Sequence, residues 1–395
     1  MKKPVSVALI GTGFAANFHS SCYARAQGAR LAGVYGRDPR RAADFAQRHR
    51  IDHVFKSLEE VLTSKEVDAI DICVPNHLHP ELCIKAAQAG KHILCEKPLT
   101  GYFSPDTSAM IGKTVPKKVM LEKVMQQTAE VLDVTERAGV KFCYAENWVY
   151  APPIQKANRL LAATNPAILR IVGGESHSGS HSEAAKQWAF SGGGSIMMKG
   201  CHPLGATLYL KGEEGRRRGG KPIRPATVVA EAARLTQVEA FVREEPKWIK
   251  TGWKDVEDWG AMLITFEDGT VAEISAGDTT LGGVRNFLEV YSSRARLHCN
   301  MSLNDSLLAY TPEGSVFGDE YIVEKTETKA GWSFPFPDEE WMNGYPQEIQ
   351  DFVSAIADNR APVCGGEVAR GSALVIYGAY VAIEEGRRVD LRPWW

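Results

Sequence analysis

Residues 4–16 read PVSVALIGTGFAA, and this stretch decides the fold. Val5 to Ile10 is a short apolar run with β-branched residues that stops at Gly11, the pattern of a strand buried on both faces of a parallel sheet. Directly after it Gly11, Thr12, Gly13, Phe14, Ala15 and Ala16 spell G-x-G-x-x-A, and a helix-period segment continues to Ala26. In such a turn the first glycine permits the bend, the second admits a pyrophosphate against the backbone, and the small third residue lets helix and strand close up. Unpaired N–H groups at the helix start then face the phosphates. A dinucleotide site is the expectation.

About 20 residues past such a turn a carboxylate usually bonds the adenosine ribose of NAD. Here that place is Gly36, followed by Arg37. An arginine beside a missing carboxylate suits a 2′-phosphate by charge and by its planar donor fork, which favours NADP. Asp38 can still reach a ribose hydroxyl, so NAD stays open.

Farther out, apolar strand-like runs at 29–35, 53–55, 69–74 and 92–95 alternate with helical segments at 39–49, 58–62 and 80–89. This alternation implies a parallel sheet covered on both faces. Residues 101–118 (GYFSPDTSAMIGKTVPKK) break the rhythm and read as a surface loop inserted before a helix over 119–138. After Phe142 short β-branched segments take over, at 167–172, 226–234, 260–266, 270–276 and 287–291, with hairpin-like turns at 267–269 and 282–283. They indicate a second, mostly antiparallel sheet, followed by helices at 347–357 and 368–385. The basic, glycine-rich stretch 213–225 reads as a solvated loop. The fold class is therefore α/β, with an N-terminal domain over 1–148 and a C-terminal α/β domain over 149–395.

The chain length of 395 residues, at about 150 per domain, agrees with two domains. With 44% hydrophobic and 24% charged residues it buries a sizeable core. Lys+Arg 46 against Asp+Glu 48 leaves a net charge of −2, so no global field draws nucleic acid or an anionic membrane, and small molecules are the better partners. The apolar run at the N-terminus is too short for a signal-peptide core, and no window approaches the roughly 18 apolar residues of a membrane span. The cytoplasm is the expected location. Cys22, Cys73, Cys83, Cys95, Cys143, Cys201, Cys299 and Cys364 form no C-x-x-C and read as buried free thiols, with no disulfide framework or metal site.

Three further blocks follow the glycine turn in order: Val74-Pro75-Asn76-His77-Leu78-His79, the run from Ala89 to Leu99 that contains Glu96-Lys97-Pro98, and Gly192 to Gly194 followed by Gly200-Cys201-His202. Together they resemble the Gfo/Idh/MocA oxidoreductase family over nearly the whole chain. The resemblance implies a Rossmann domain, then an open, predominantly antiparallel α/β domain that bears the substrate cleft and a homo-oligomer contact, as a dimer or tetramer. It assigns Lys97 and His202 to catalysis. Val74, Pro75, Asn76 and His79, at a strand's carboxyl end, are expected to line the cofactor edge, with Glu96 and Asn147 beside them. Trp148, Tyr150 and Trp188 fall where relatives approach nicotinamide and substrate, with core packing the competing reading.

Chemistry argued directly agrees. Oxidising a secondary alcohol needs the nicotinamide beside the carbinol carbon and a base for the hydroxyl proton. His202 suits the base, since a reference pKa near 6.5 leaves a histidine largely neutral at physiological pH. Lys97 would bond the reacting oxygen and relay its proton, with an oxidised nicotinamide depressing its pKa. Pro98 is a candidate cis residue that fixes the lysine's direction. A surface lysine and a packed histidine are the plain alternatives.

Where many relatives carry an aspartate four residues before the histidine, this chain has Met198, with Lys199 beside it as a candidate partner for an anionic substituent or a solvent-facing lysine. Ser176 to Ser182, with His177 and His181, resembles a hydroxyl-rich sugar-binding lip, with a plain loop the alternative.

The expected activity is hydride transfer between NAD or NADP and a ring hydroxyl or ketone of a sugar, cyclitol or sugar derivative. The alternative within the family is a redox-neutral glycosidase or lyase that oxidises a ring hydroxyl, eliminates the aglycone and returns the hydride. A non-enzymatic nucleotide sensor is a third reading, opposed by the presence of both Lys97 and His202.

Overall fold

The computed structural model describes residues 3–106, 108–302, 307–336 and 338–395. The first half runs β1 (Val5–Ile10), α1 (Phe14–Tyr23), β2 (Ala29–Tyr35), α2 (Pro39–His49), α3 (Leu58–Thr63), β3 (Ala69–Ile72), α4 (His79–Gln88), β4 (His92–Glu96), α5 (Ile111–Thr114), α6 (Lys117–Arg137) and β5 (Phe142–Ala145). Its five strands form a parallel sheet in the order β2-β1-β3-β4-β5. Every residue of β1 and β3 is buried, which is why these strands read as unbroken apolar runs. The helices carry local signals as well. Asp38 accepts from the N–H groups of Arg40 and Arg41, Pro39 occupies the first helical position, and Arg50 closes α2 in the left-handed region at φ 55°.

The second half runs α7 (Asn147–Tyr150), α8 (Pro152–Thr164), β6 (Ile168–Ser176), α9 (Trp188–Ser191), α10 (Ser195–Met198), α11 (Cys201–Gly219), β7 (Pro225–Ala233), α12 (Glu239–Arg243), β8 (Trp259–Phe266), β9 (Val271–Gly277), β10 (Arg285–Ser292) and β11 (Arg296–Asn300). It closes with β12 (Ala309–Thr311), β13 (Gly331–Ser333), α13 (Glu339–Met342), α14 (Tyr345–Ala357), α15 (Gly366–Glu385) and β14 (Val389–Asp390). A seven-stranded sheet has the order β11-β10-β6-β9-β8-β7-β14, antiparallel throughout except where β6 meets β9. α11 covers one face of this sheet at β6, and α15 lies against both β7 and α6, tying the two sheets together. α14 returns to pack on α1.

Three local expectations change. Residues 213–219 belong to α11: Glu214 is buried, and Lys211 Nζ donates to Glu214 Oε2 at 2.5 Å and to Asp268 Oδ2 at 2.9 Å. Arg216 to Arg218 occupy the last turn, where the helix dipole favours cations, and Gly220 ends the helix at φ 73°. The described residues of 101–118 lie mostly at the surface, but the segment is fastened to the second half of the chain. Tyr102 N–H donates to the Tyr377 hydroxyl at 2.7 Å, Gly112 N–H donates to Asp255 Oδ2 at 2.9 Å, and Ile111 is buried. The segment 53–55, too short for a ladder, makes a single bridge from Val54 to Val34. The eight cysteines are free and buried, and among the described residues no helix is long and apolar enough to cross a membrane.

Candidate active site

Gly11 bends the chain out of β1 at φ +116°, and a Cβ there would stand 2.1 Å from the Cys73 carbonyl oxygen. Any side chain would both strain the turn and collide with the next strand's exit. At Gly13 the corresponding direction is open, with no atom within 4 Å. Gly13 is the N-cap of α1 and supplies no side-chain cap, and the first turn holds no acidic residue, so the helix start suits an anion. Gly36 closes against Thr12, whose Cγ2 would lie 3.0 Å from an added Cβ. Arg37 is exposed beside it, and Asp38, also exposed, caps α2 through Oδ1. These residues fit a dinucleotide: Gly11 to Ala16 would hold the pyrophosphate, and Gly36 and Arg37 the adenosine ribose.

At the end of β4 the peptide between Lys97 and Pro98 is cis. Lys97 N–H donates to Glu96 Oε2 at 3.0 Å, and Lys97 Nζ donates to the Met198 carbonyl at 3.5 Å. Burial opposes the Lys97 charge, but Cys201 and the carboxylates of Glu96, Glu175 and Glu146 outweigh it and hold its pKa above the usual lysine value. Burial keeps the Cys201 thiol protonated, so the carboxylates carry that effect. Glu96 is braced from behind. His19 Nε2 stands 3.2 Å from Glu96 Oε1, and His19 Nδ1 donates to Asp71 Oδ2 at 2.8 Å. Burial works against protonation of His19, yet Asp71 and its neighbours raise its pKa well above the ordinary histidine value.

His202 sits in the first turn of α11, with Nδ1 2.6 Å from Glu146 Oε1 and its ring stacked on Trp148 at 5.8 Å between centroids. Nδ1–H donates to the Glu146 carboxylate, a bond that in a neutral ring leaves Nε2 as the acceptor. Glu175 Oε2 stands 4.0 Å from that nitrogen. Burial raises the Glu175 pKa, while His202, Lys97 and Lys199 pull it back. The segment that delivers His202 is itself pinned: Glu257 accepts from Ile196 N–H at 2.9 Å and Gly194 N–H at 3.2 Å, and Ser195 Oγ donates to Asp278 Oδ2 at 2.5 Å.

The family model for the oxidoreductase family NAD-binding Rossmann fold matches residues 5–118, and that for the GFO/IDH/MocA C-terminal domain matches 154–298. The chain belongs to the Gfo/Idh/MocA oxidoreductase family. It is an NAD(P)-dependent oxidoreductase acting on CH–OH groups. Among curated relatives, the uncharacterized oxidoreductase YrbE of Bacillus subtilis is 22% identical over 98% of this chain and 99% of its own length. Myo-inositol 2-dehydrogenase of Thermotoga maritima is 23% identical over 89% of this chain and 88% of its own. The solved structure of GenD2 from gentamicin A biosynthesis in complex with NAD shares the fold at TM-score 0.79 and 22% identity, covering 99% of this chain and 97% of that one. Scyllo-inositol dehydrogenase of Lactobacillus casei with NAD(H) and scyllo-inositol does so at TM-score 0.69 and 19% identity, covering 99% and 100%.

Several residues that the Gfo/Idh/MocA resemblance singles out serve the scaffold here. His79 is fully buried, with Nδ1 2.8 Å from the Pro98 carbonyl and Nε2 2.9 Å from that of Val74, so it ties the β3 exit to the lysine turn from behind, whereas Val74, Pro75 and Asn76 keep surface. The Tyr150 hydroxyl donates to Asp351 Oδ2 at 3.0 Å and accepts from Cys364 N–H at 3.0 Å, away from the lysine and histidine. Trp188 packs on Tyr380 at 4.6 Å between rings, with Lys117 Nζ 5.1 Å from its centroid. Asn147 Nδ2 donates to the Asn343 carbonyl at 2.7 Å.

Lys199 is buried and donates to Asp278 Oδ1 at 2.6 Å, so neither a solvent-facing lysine nor an unpaired one describes it. His177 is buried and accepts from Gly179 N–H at 2.9 Å, and burial with nearby Lys199 lowers its pKa to about 2. His181 is exposed. Among the described residues, two groups, His19 with Asp71 and Cys73 and Glu146 with Cys201 and His202, bring metal-type donors within 4.8 Å. Each contains a direct histidine-to-carboxylate bond, at 2.8 Å and 2.6 Å, that already occupies those donors. Glu146, Glu175, Glu96's brace His19 and Glu257 escaped the sequence reading, because a single glutamate or histidine carries no spacing signal of its own.

Proposed function

We propose that this protein moves a hydride between a nicotinamide and a ring hydroxyl, or the matching ketone, of a sugar, cyclitol or related polyhydroxylated ring. The observation that carries the reading is the Glu146-oriented His202, whose open Nε2 faces the same carboxylate, Glu175, that feels the Lys97 ammonium. In the oxidative direction the substrate O–H bond breaks and its proton goes to His202 Nε2. The carbinol C–H bond breaks with its electron pair, and the C–O bond becomes a carbonyl. The nicotinamide, when bound, supplies the hydride acceptor. Lys97, held as an ammonium by its carboxylate neighbours, donates to the oxygen as negative charge develops and is not the base. Reduction reverses each transfer, with His202 returning the proton.

Gly36 in the place of the usual carboxylate and the exposed Arg37 beside it support NADP over NAD. We assign the outer face of the seven-stranded sheet, where Leu169 and Leu263 are exposed, to a second copy of the chain, and place the enzyme in the cytoplasm.

The test is turnover of NAD and NADP, followed by near-ultraviolet absorbance, across inositol isomers, aldoses and their glycosides. Net reduction with at least one ring polyol, faster with NADP, is the expected result. A purified protein that retains its nicotinamide and cleaves glycosides with no net absorbance change would replace this reading with the redox-neutral one.

A further inference from the structure

We propose that Glu175 is a specificity-determining residue that accepts a hydrogen bond from a second substrate hydroxyl, on the carbon next to the one oxidised. The proposal rests on the hydride-transfer reading above and deepens it, since it requires vicinal hydroxyls of the substrate.

Glu175 is the second-last residue of β6, opposite Asn286 of β10 and Ala276 of β9, so its main chain is held on both sides. By strand alternation it shares a face with Ile171 and Gly173, the face α11 covers, where Pro203 next to His202 approaches Gly173. Its side chain keeps 13% exposure, while Oε2 is buried and has no hydrogen-bond partner among the described residues. A carboxylate is acceptor-only when ionised, and leaving one of its oxygens dry and unmatched is costly.

Three polar groups lie nearby, and none of them bonds that oxygen. Lys97 Nζ reaches the Met198 carbonyl, Lys199 Nζ is on Asp278, and His202 spends its Nδ1 proton on Glu146. His202 Nε2, at 4.0 Å, is too far for a direct bond. A ligand hydroxyl can supply the missing donor. Hydroxyls on adjacent ring carbons match this pair of acceptors, one oxygen giving its proton to His202 Nε2 and its neighbour bonding Glu175. An ether, a methylene or a carbonyl at the second position brings no donor and leaves the carboxylate unmatched.

The experiment takes the ring polyol turned over best in the panel above, together with its two analogues that lack one or the other hydroxyl flanking the reacting carbon. The wild-type enzyme is expected to lose at least about 100-fold in kcat/KM on one of the two, the signature of a site built around a hydroxyl. Glu175→Met, which keeps the length of the side chain but carries no oxygen to accept the bond, is expected to lose a similar factor on the parent polyol and little more on that analogue, because the two changes remove the same contact. Its melting temperature and NADPH affinity should match wild type. Wild-type indifference to both missing hydroxyls overturns the assignment without needing the variant, and so do additive losses or full activity of Glu175→Met. In those cases hydride transfer still stands. A wild-type enzyme that turns over no ring polyol overturns the hydride-transfer reading and this assignment with it.

Discussion

His202 Nδ1 lies 2.6 Å from Glu146 Oε1, so a carboxylate at the exit of β5 orients an imidazole on α11. The two residues come from the two halves of the chain, and the proton acceptor of the proposed reaction exists only when both are docked. Glu146→Gln can offer its amide N–H to Nδ1 and turn the ring into the wrong tautomer. We expect kcat to fall by about 100-fold or more with NADPH binding unchanged, measured by steady-state kinetics and cofactor titration. Gly205→Ala, whose Cβ would come 2.5 Å from Glu146 Cγ, should give a milder loss of the same kind.

In the proposed reaction Lys97 acts through its charge rather than by proton transfer. Lys97→Met should lower kcat by about 1,000-fold, the size of a lost oxyanion donor, and Lys97→Arg should not restore it, because the guanidinium cannot take the same place against the Met198 carbonyl. Turnover of Lys97→Met within tenfold of wild type would refute the role.

Gly11→Ala combines a forbidden φ of +116° with a Cβ placed 2.1 Å from the Cys73 carbonyl oxygen. Destabilisation of about 3 kcal/mol and loss of cofactor binding are expected, read by denaturant unfolding and fluorescence titration.

Arg37→Ala should raise the KM for NADP by about tenfold or more and leave that for NAD nearly unchanged, as one charged hydrogen bond to a phosphate is worth. Equal effects on both cofactors would remove Arg37 from the 2′-phosphate.

Burial lifts the Glu257 pKa from 4.5 to about 7, against the bonds it accepts from Ile196, Tyr380 and Gly194. The folded protein therefore holds a proton that the unfolded chain has released, so this group's contribution to stability is full below about pH 4.5 and is lost as the pH rises to about 7. Relative to wild type, Glu257→Gln should gain in melting temperature across that window. A difference that stays constant with pH would show that Glu257 does not titrate there.

Local chemistry was legible wherever a backbone position demanded a residue type. The glycine turn, the strand ends and the antiparallel second sheet read directly from spacing and periodicity, and the Glu96-Lys97-Pro98 block from the family resemblance. Residues 213–219 were misread because helix-breaking glycines outweighed, in sequence, the buried Lys211 to Glu214 and Asp268 pairs that hold the helix in place. Tyr150 and Trp188 carry the right aromatic character, yet their hydrogen bonds and ring contacts turn them into the core.

By itself the sequence determined a parallel dinucleotide-binding sheet followed by an antiparallel sheet, because periodicity and glycine placement act over a few residues and need no partner. It also determined which lysine and histidine to watch. Only the tertiary structure decided what surrounds them. Glu146, Glu175 and His19 lie far along the chain from the groups they touch, and their effect depends on distance and burial, which no local pattern encodes.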